Sequence, residues 1–276
     1  MSGVTVGVWD EGNPVARIDS SRPHSARVYN YLLGGKDNYP VDREAAEVFL
    51  SRFLDAAVLC RMQRRFLGRA VQYLVAEAGV RQFLDIGTGL PTADNTHQVA
   101  QRVDPTCRVV YVDNDPLVLV HAQALLTSTP QGACDYVRAD VREPEHILSE
   151  AARTLDFTQP IALMLLAVLG QIPDTTGPDD PTALVPRLLQ ALPAGSYLVI
   201  SDATNIDESF NEAEREYNNT TGGTHHLRSP QQIAALFTGL DLVAPGIVPI
   251  TQWRPEPLDI GTLPVDISLS GVARKP

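Results

Sequence analysis

The chain has 276 residues, 44% of them hydrophobic, enough to bury a full core as one domain plus an N-terminal elaboration. A formal net charge of −11 argues against extended contact with phosphate backbones, so nucleic acid is not expected as a partner. Cys60, Cys107 and Cys134 are odd in number and lack metal-ligand spacing, which excludes a disulfide framework and a zinc site.

In chain order, residues 1–20 carry little periodic pattern and are expected to be loose. No basic region followed by an apolar run marks a secretory signal, and the longest apolar stretch, Ile161 to Leu169, is too short to span a bilayer. A cytoplasmic protein without membrane contact is expected, and the sequons at Asn218 and Asn219 are then incidental. A short helix is predicted from Ser25 to Leu33, followed by a turn at Gly34-Gly35-Lys36-Asp37. That turn resembles a phosphate loop superficially, but the spacing and the Ser/Thr after Lys are missing. Two helices follow, from about Asp42 to Asp55 and from Ala57 to Ala78. Phe66, Ala70, Tyr73 and Leu74 lie at helical spacing and are expected to face a core. Arg61, Arg64, Arg65 and Arg69 fit the solvated face of the second helix. Residues 21–79 are thus expected to form a helical cap on a body spanning residues 80–276.

The body opens with Phe83-Leu84-Asp85-Ile86-Gly87-Thr88-Gly89, an apolar strand that ends in a carboxylate and turns through two glycines. Val109-Val110-Tyr111-Val112-Asp113 repeats the strand-to-carboxylate pattern 26 residues after Gly87. Such a pair builds a pocket for an adenosine-containing ligand at the carboxyl ends of parallel strands. Asp113 can accept from the vicinal hydroxyls of a ribose, each bond to a charged group contributing roughly 1.5–3 kcal/mol. A third strand, Asp135 to Val141, brings Asp140 to a strand tip 27 residues after Asp113, close to the roughly 30 residues of one strand-helix-strand unit. Asp140 could accept from an adenine amino group while the Val141 backbone reads a ring nitrogen. A helix cap is the plainer role for Asp140 taken alone. In the run Gly87-Thr88-Gly89-Leu90-Pro91-Thr92, Thr92 occupies the place where a nicotinamide-binding turn carries its third glycine. A carboxylate at Asp85 would repel a pyrophosphate but suits the cationic groups of S-adenosylmethionine.

Strands near 82–86, 108–113, 134–138, 161–168 and 196–202 alternate with helices near 93–102, 116–126, 144–154 and 181–191, indicating a parallel sheet covered on both faces. The apolar runs Leu240 to Ile250 and Ile267 to Ala273 would complete a seven-stranded sheet with an antiparallel last strand. Pro245 and Pro249 mark the first of these runs as a kinked or edge strand. Asn205 to Ser229, with an acidic helix and Thr220-Thr221-Gly222-Gly223-Thr224, breaks the alternation at the active-site end and is a candidate lid.

Together these blocks resemble a class I S-adenosylmethionine-dependent methyltransferase, and more narrowly the actinobacterial S-adenosyl methyltransferase family formerly known only as a domain of unknown function. The narrower resemblance rests on Arg22 to Tyr39, Phe83 to Thr92, Ala167-Val168-Leu169 with Ile172-Pro173-Asp174, Ile247-Val248-Pro249 and Trp253-Arg254-Pro255. It implies a Rossmann-like α/β fold with an N-terminal helical extension, and S-adenosylmethionine as cofactor. It also implies Asp85, Gly87, Thr88 and Gly89 as the cofactor loop, Asp113 and Asn114 at the ribose, Asp140 and Val141 at the adenine, and Ala167 beside them. Tyr31, Gly35, Asp37 and Asn38 would cover the site. Related sequences often carry His at the place of Gly170, so a polar group is expected to be missing there.

The chain lacks the Asn/Asp-Pro-Pro-aromatic motif of base-modifying amino methyltransferases, and a small-molecule acceptor is expected. Methyl transfer needs alignment of a nucleophile with the methyl carbon, and a general base only for a protonated acceptor. Candidate bases are His24, Tyr39 and His225, with Tyr29, Tyr31, Asp37, Asn38 and His226 also within reach of such a role. For Tyr29 and Tyr31 packing is an equal alternative, and for His225-His226 a solvent-exposed turn is the plainer one. Two alternatives stand beside this reading: a non-catalytic S-adenosylmethionine-binding or regulatory module, and an NAD(P)-dependent oxidoreductase.

Overall fold

The computed structural model describes residues 18–125, 127–221, 223, 225–256 and 267–276. Most of the stretch expected to be loose, residues 1–17, lies outside these, as do Gly222 and Thr224 of the candidate lid. Three helices come first: α1 Ser25–Leu32, α2 Pro40–Arg52 and α3 Ala56–Ala76. The sheet then begins with β1 Gln82–Ile86, α4 Thr96–Val103, β2 Arg108–Asp113, α5 Pro116–Leu125, β3 Ala133–Arg138, α6 Pro144–Ala151 and β4 Ala162–Leu166. A 3₁₀ turn at Leu169–Gln171 and α7 Pro181–Gln190 lead to β5 Tyr197–Ala203. Local capping explains several of these starts. Asp180 accepts from Thr182 N ahead of Pro181, and Asn95 and Gln98 form a reciprocal capping box at α4.

These five strands are parallel in the order β3-β2-β1-β4-β5. The order reverses between β1 and β4, and a crevice opens beyond the carboxyl ends of the strands at such a reversal. After β5 come α8 Glu208–Thr221, α9 Pro230–Ala235, β6 Asp241–Leu242, β7 Val248–Pro249 and β8 Ser268–Arg274. β8 runs antiparallel to β5, and β6 and β7 both pair antiparallel with β8. Among the described residues the sheet therefore has eight strands rather than the expected seven. The single strand expected over 240–250 is split, because Pro245 offers no N–H and Gly246 turns at φ +92°.

Side-chain alternation along the strands sorts the core into two layers. Phe83, Val109, Tyr111, Met164 and Val199 face Phe66, Ala70 and Leu74 of α3, with Trp253 buried in the same layer. Leu84, Val110, Leu163, Leu165 and Ile200 face Ile147 of α6, Leu184 and Leu188 of α7, and Ile233 of α9. Tyr73 is only half-buried, with the Arg254 guanidinium 4.0 Å from its ring centre. Above the strand tips, α8 packs on α2 through edge-to-face contacts of Phe210 with Phe49 (5.6 Å) and Phe53 (5.1 Å). No helix among the described residues is long and apolar enough to cross a membrane.

The arginines of α3 do not share one solvated face. Arg61 is exposed and Arg64 and Arg65 are half-buried, whereas Arg69 is buried and donates from Nε to Trp253 O at 2.9 Å and from Nη2 to Ile250 O. The helix lies between the sheet and the 250–253 segment, so two sides of it are covered. Arg69→Ala is expected to cost about 2–3 kcal/mol in urea denaturation, because carbonyls lose a charged donor. Arg61→Ala should stay within about 0.5 kcal/mol. Equal, small losses for both would restore the solvated reading.

Candidate functional site

The turn after β1 is held by two backbone bonds, from Gly87 N and Thr88 N to Val112 O at 2.8 and 3.3 Å. Gly87 has φ +76°, and a Cβ there would lie 2.4 Å from Val168 Cγ2 at the tip of β4. Gly89 has φ +67° and donates to Asp113 Oδ2 at 2.8 Å, but nothing lies within 4 Å of where its Cβ would be. Gly87 thus closes the β1–β4 junction, while Gly89 leaves open space for a ligand's close approach. That space belongs to a cavity of about 480 Å³ over the tips of β1, β2, β4 and β5, roofed by α1, α3 and α8. A wider cleft of about 710 Å³ lies at the other end of the sheet, around Gln82, Arg108 and Pro160. The strand-tip cavity is the better site, since open α/β sheets bind ligands at the carboxyl ends, and acidic groups gather there.

Asp85 is 4% exposed and accepts from Thr96 Oγ1 at 2.6 Å. Burial pushes its carboxyl up to about 6, against the opposing effects of the Thr96 bond and the Arg64 charge. Asp113 is similarly buried, and its two oxygens accept from Asp115 N (3.0 Å) and Gly89 N (2.8 Å). Its carboxyl is raised by burial, with the two N–H donors acting the other way. Asp140 is more open. Arg142 donates to it at 2.8 and 2.7 Å, and this pairing holds it near 2. Asn114 Nδ2 reaches Asp140 at 3.3 Å. Asp85, Asp113 and Asp140 all border the one cavity, with Thr88, Asn114, Val141 and Ala167. Ala167 has φ +56°, a left-handed conformation that costs a non-glycine residue about 1–2 kcal/mol.

Other expected residues sit elsewhere. Tyr31 donates to Glu47 Oε1, and Asp37 faces His121 at 3.9 Å. Asn38 donates to Asn30 Oδ1 (2.9 Å) and Gly35 O (3.0 Å), and a Cβ on Gly35 would strike the Asn30 side chain at 2.4 Å. The buried Asn30 amide therefore gathers Gly35, Asp37 and Asn38 into a turn, and the cavity lining does not include Tyr31, Gly35, Asp37 or Asn38. Tyr39 starts α2 and lies under the Arg27 guanidinium, 5.3 Å from its ring centre, outside the cavity's described lining. Tyr29 does line the cavity, but its buried hydroxyl is spent on Cys60 O at 3.0 Å. His24 also lines it. Its Nδ1 accepts from Ala26 N at 3.3 Å, capping α1, and lies 3.2 Å from Asp115 Oδ2.

His225 departs most from the exposed turn expected of His225-His226. Its ring lines the cavity with Nδ1 3.1 Å from Glu214 Oε2. Burial alone would lower its pKa, yet Glu214 and Asp202 outweigh that and raise it. A Cβ on Gly170 would lie 2.3 Å from His225 Nε2, so the imidazole occupies the place a side chain at 170 would take. The polar group expected to be missing there comes from another part of the chain.

Sequence reasoning missed four neighbours. Arg64 donates to Ala93 O (3.2 Å) and Asp94 O (2.9 Å) and borders the cavity. Gln63 donates to Ser201 Oγ at 2.9 Å. Asp202 is buried, with Arg228 Nη1 3.7 Å from its Oδ2. Glu214 comes from the acidic α8. Asp202 was findable as a further carboxylate ending a strand, Val199-Ile200-Ser201-Asp202; Gln63 and Arg64 carry no such signal.

The sequence profile of the S-adenosyl methyltransferase family matches residues 11–276. A crystal structure from Streptomyces avermitilis, of the family once numbered as domain of unknown function 574, is 44% identical. The alignment covers 94% of this chain and 100% of that one, with a TM-score of 0.89. A Thermobifida fusca protein provisionally called a methyltransferase is 39% identical over 94% of this chain and 97% of its own, with a TM-score of 0.84. The plantazolicin methyltransferase BpumL, solved with S-adenosylhomocysteine and a monoazolic desmethylPZN analogue, shares the fold at 13% identity and a TM-score of 0.52, covering 91% and 94% of the two chains. No curated protein gives a significant sequence match.

The two glycines predict unequal sensitivity. Gly89→Ala should lose about 1–2 kcal/mol in chemical denaturation, from the positive φ alone. Gly87→Ala should lose at least about twice that, because its Cβ also meets Val168. Equal losses count against the packing role of Gly87.

Proposed function

The chain belongs to the S-adenosyl methyltransferase family, and we propose that the strand-tip cavity is where this S-adenosylmethionine-dependent enzyme holds its cofactor beside a small-molecule acceptor. The observation that carries this reading is the convergence of Asp85, Asp113 and Asp140 on one cavity next to the open face of Gly89. Its volume of about 480 Å³ falls within the roughly 300–1,000 Å³ of small-ligand sites. When bound, the cofactor supplies an electrophilic methyl group on a sulfonium.

The residues divide the work by position. Gly87, Thr88 and Gly89 shape the turn on which the nucleoside rests. Asp113 has lone pairs left beyond its two backbone bonds and is placed to accept from ribose hydroxyls, with Asn114 beside it. Asp140 and the Val141 backbone border the adenine end. At the other end Asp85 and Arg64 present opposite charges, which suits a zwitterionic amino-acid group: the ammonium to Asp85, the carboxylate to Arg64. Ala167, in its left-handed conformation, ends β4 at the cavity wall beside Val168. Thr92 N is engaged by Asn95 Oδ1 at 3.0 Å where a nicotinamide-type turn would need its third glycine, which disfavours that alternative. A cytoplasmic location fits the three unpaired cysteines.

Binding should depend on pH through Asp85. With a folded-state value of about 6, the carboxyl is ionised at pH 7 and protonated at pH 5. Because the ionised form attracts the ammonium, S-adenosylmethionine should bind about tenfold more tightly at pH 7 than at pH 5. Asp85→Asn should flatten this dependence. Isothermal titration calorimetry reads both; pH-independent binding to the native protein counts against Asp85, and preferential NAD binding against the cofactor assignment.

A further inference from the structure

The acceptor end of the cavity holds one imidazole whose position is set from three directions. His225 Nδ1 faces Glu214 Oε2 of α8 at 3.1 Å. Its backbone is clamped to the end of the same helix, with His225 N donating to Asn218 Oδ1 and Asn218 Nδ2 donating to His225 O, both at 2.8 Å. The next residue fastens the loop to the β4 side, where His226 N donates to Gly170 O at 2.7 Å. The glycine leaves room for the ring, and Nε2 lies over it beside the β4 tip. A carboxylate on one ring nitrogen raises the basicity of the other and fixes its orientation. Leu32, Phe49, Leu59, Phe210 and Tyr217 give the cavity apolar and aromatic walls, beside the polar Gln63, Asp202 and Glu214. Phe210, Glu214 and Tyr217 fall on one face of α8, so the aromatic wall and the carboxylate come from the same surface.

We propose that His225 is the base of the methyl transfer, and that the acceptor is an uncharged aromatic molecule bearing a hydroxyl group. This rests on the strand-tip cavity being the S-adenosylmethionine site. The acceptor oxygen forms a bond to the methyl carbon as the carbon–sulfur bond breaks, with that electron pair remaining on sulfur. The hydroxyl proton passes to His225 Nε2, giving an imidazolium paired with Glu214, and S-adenosylhomocysteine and the methyl ether leave. The proton is lost to solvent afterwards. Glu214 is a positioning residue. Asp202 from β5 and Arg228 from the late loop are the other charged groups that act on the ring, which in turn acts on its neighbour His226.

The test that needs no knowledge of the natural acceptor is histidine-ring NMR on the whole protein, with the His225 signal identified by its loss in His225→Gln. The ring should release its proton about one pH unit lower with S-adenosylmethionine bound than with S-adenosylhomocysteine, because only the former brings a positive charge beside it. Glu214→Gln should lower the value in both complexes. His225→Gln should keep its S-adenosylmethionine affinity, which shows that the variant folds. Equal values with the two ligands overturn the proposal, since His225 would not face the methyl. Failure of either ligand to bind is a separate result, which removes the cavity reading and this proposal with it. With ¹³C-methyl-labelled cofactor and phenol, catechol, aniline and benzenethiol as probes, label should appear on oxygen, about 100-fold more slowly in His225→Gln. Label on nitrogen or sulfur alone overturns the hydroxyl assignment.

Discussion

Burying negative charge at the strand tips is the constraint that organises the molecule. Asp85, Asp113, Asp115 and Asp202 are each at least nine-tenths buried within one end of the sheet. A buried carboxylate is costly unless something compensates it. Each is compensated differently: Asp115 by Arg27 at 3.3 Å and the N–H of Leu117, Asp113 by two backbone donors, and Asp202 by the proximity of Arg228. Asp85 has only a hydroxyl donor and a more distant Arg64; burial raises its carboxyl to about 6, and raises those of Asp113 and Asp202 as well.

The same constraint explains why segments outside the parallel sheet are integral to the site. Arg27 comes from α1, and Asp42 at the start of α2 accepts from the N–H groups of His24 and Tyr39, locking the two helices together over Asp115. On the far side Arg228, 2% exposed, donates to Asp174, Leu169 O and Ile172 O. That clamp sets the 3₁₀ turn after β4 and carries the loop that presents His225. Each end of the cavity is thus braced by one buried arginine, both from outside the strands.

The sheet was legible because strand tips, turn glycines and carboxylates are local features. Phe83 to Gly89, Val109 to Asp113 and Asp135 to Val141 each announce their element and its end within a few residues. Helix placement followed from periodicity in the same way, and α3 differs from its expected span by one or two residues at each end. The eighth strand was not legible, because a run containing Pro245 and Gly246 reads as apolar whether it is continuous or broken.

What the sequence determined by itself was the α/β class, the family and the three strand-tip carboxylates that border one cavity, since short-range pattern encodes all three. Tertiary structure alone decided which polar residues meet. Arg69 and Arg64 sit five residues apart on one helix, yet one is buried against the 250–253 segment and the other borders the cavity. Asn38 lies in a distinctive motif but is drawn into a turn by Asn30, and Tyr31 of the same motif pairs with Glu47, while His225 travels from a nondescript loop into the gap at Gly170. The reason is that periodicity assigns a residue to a face of its own element, whereas burial and pairing depend on which distant surface is packed against that face.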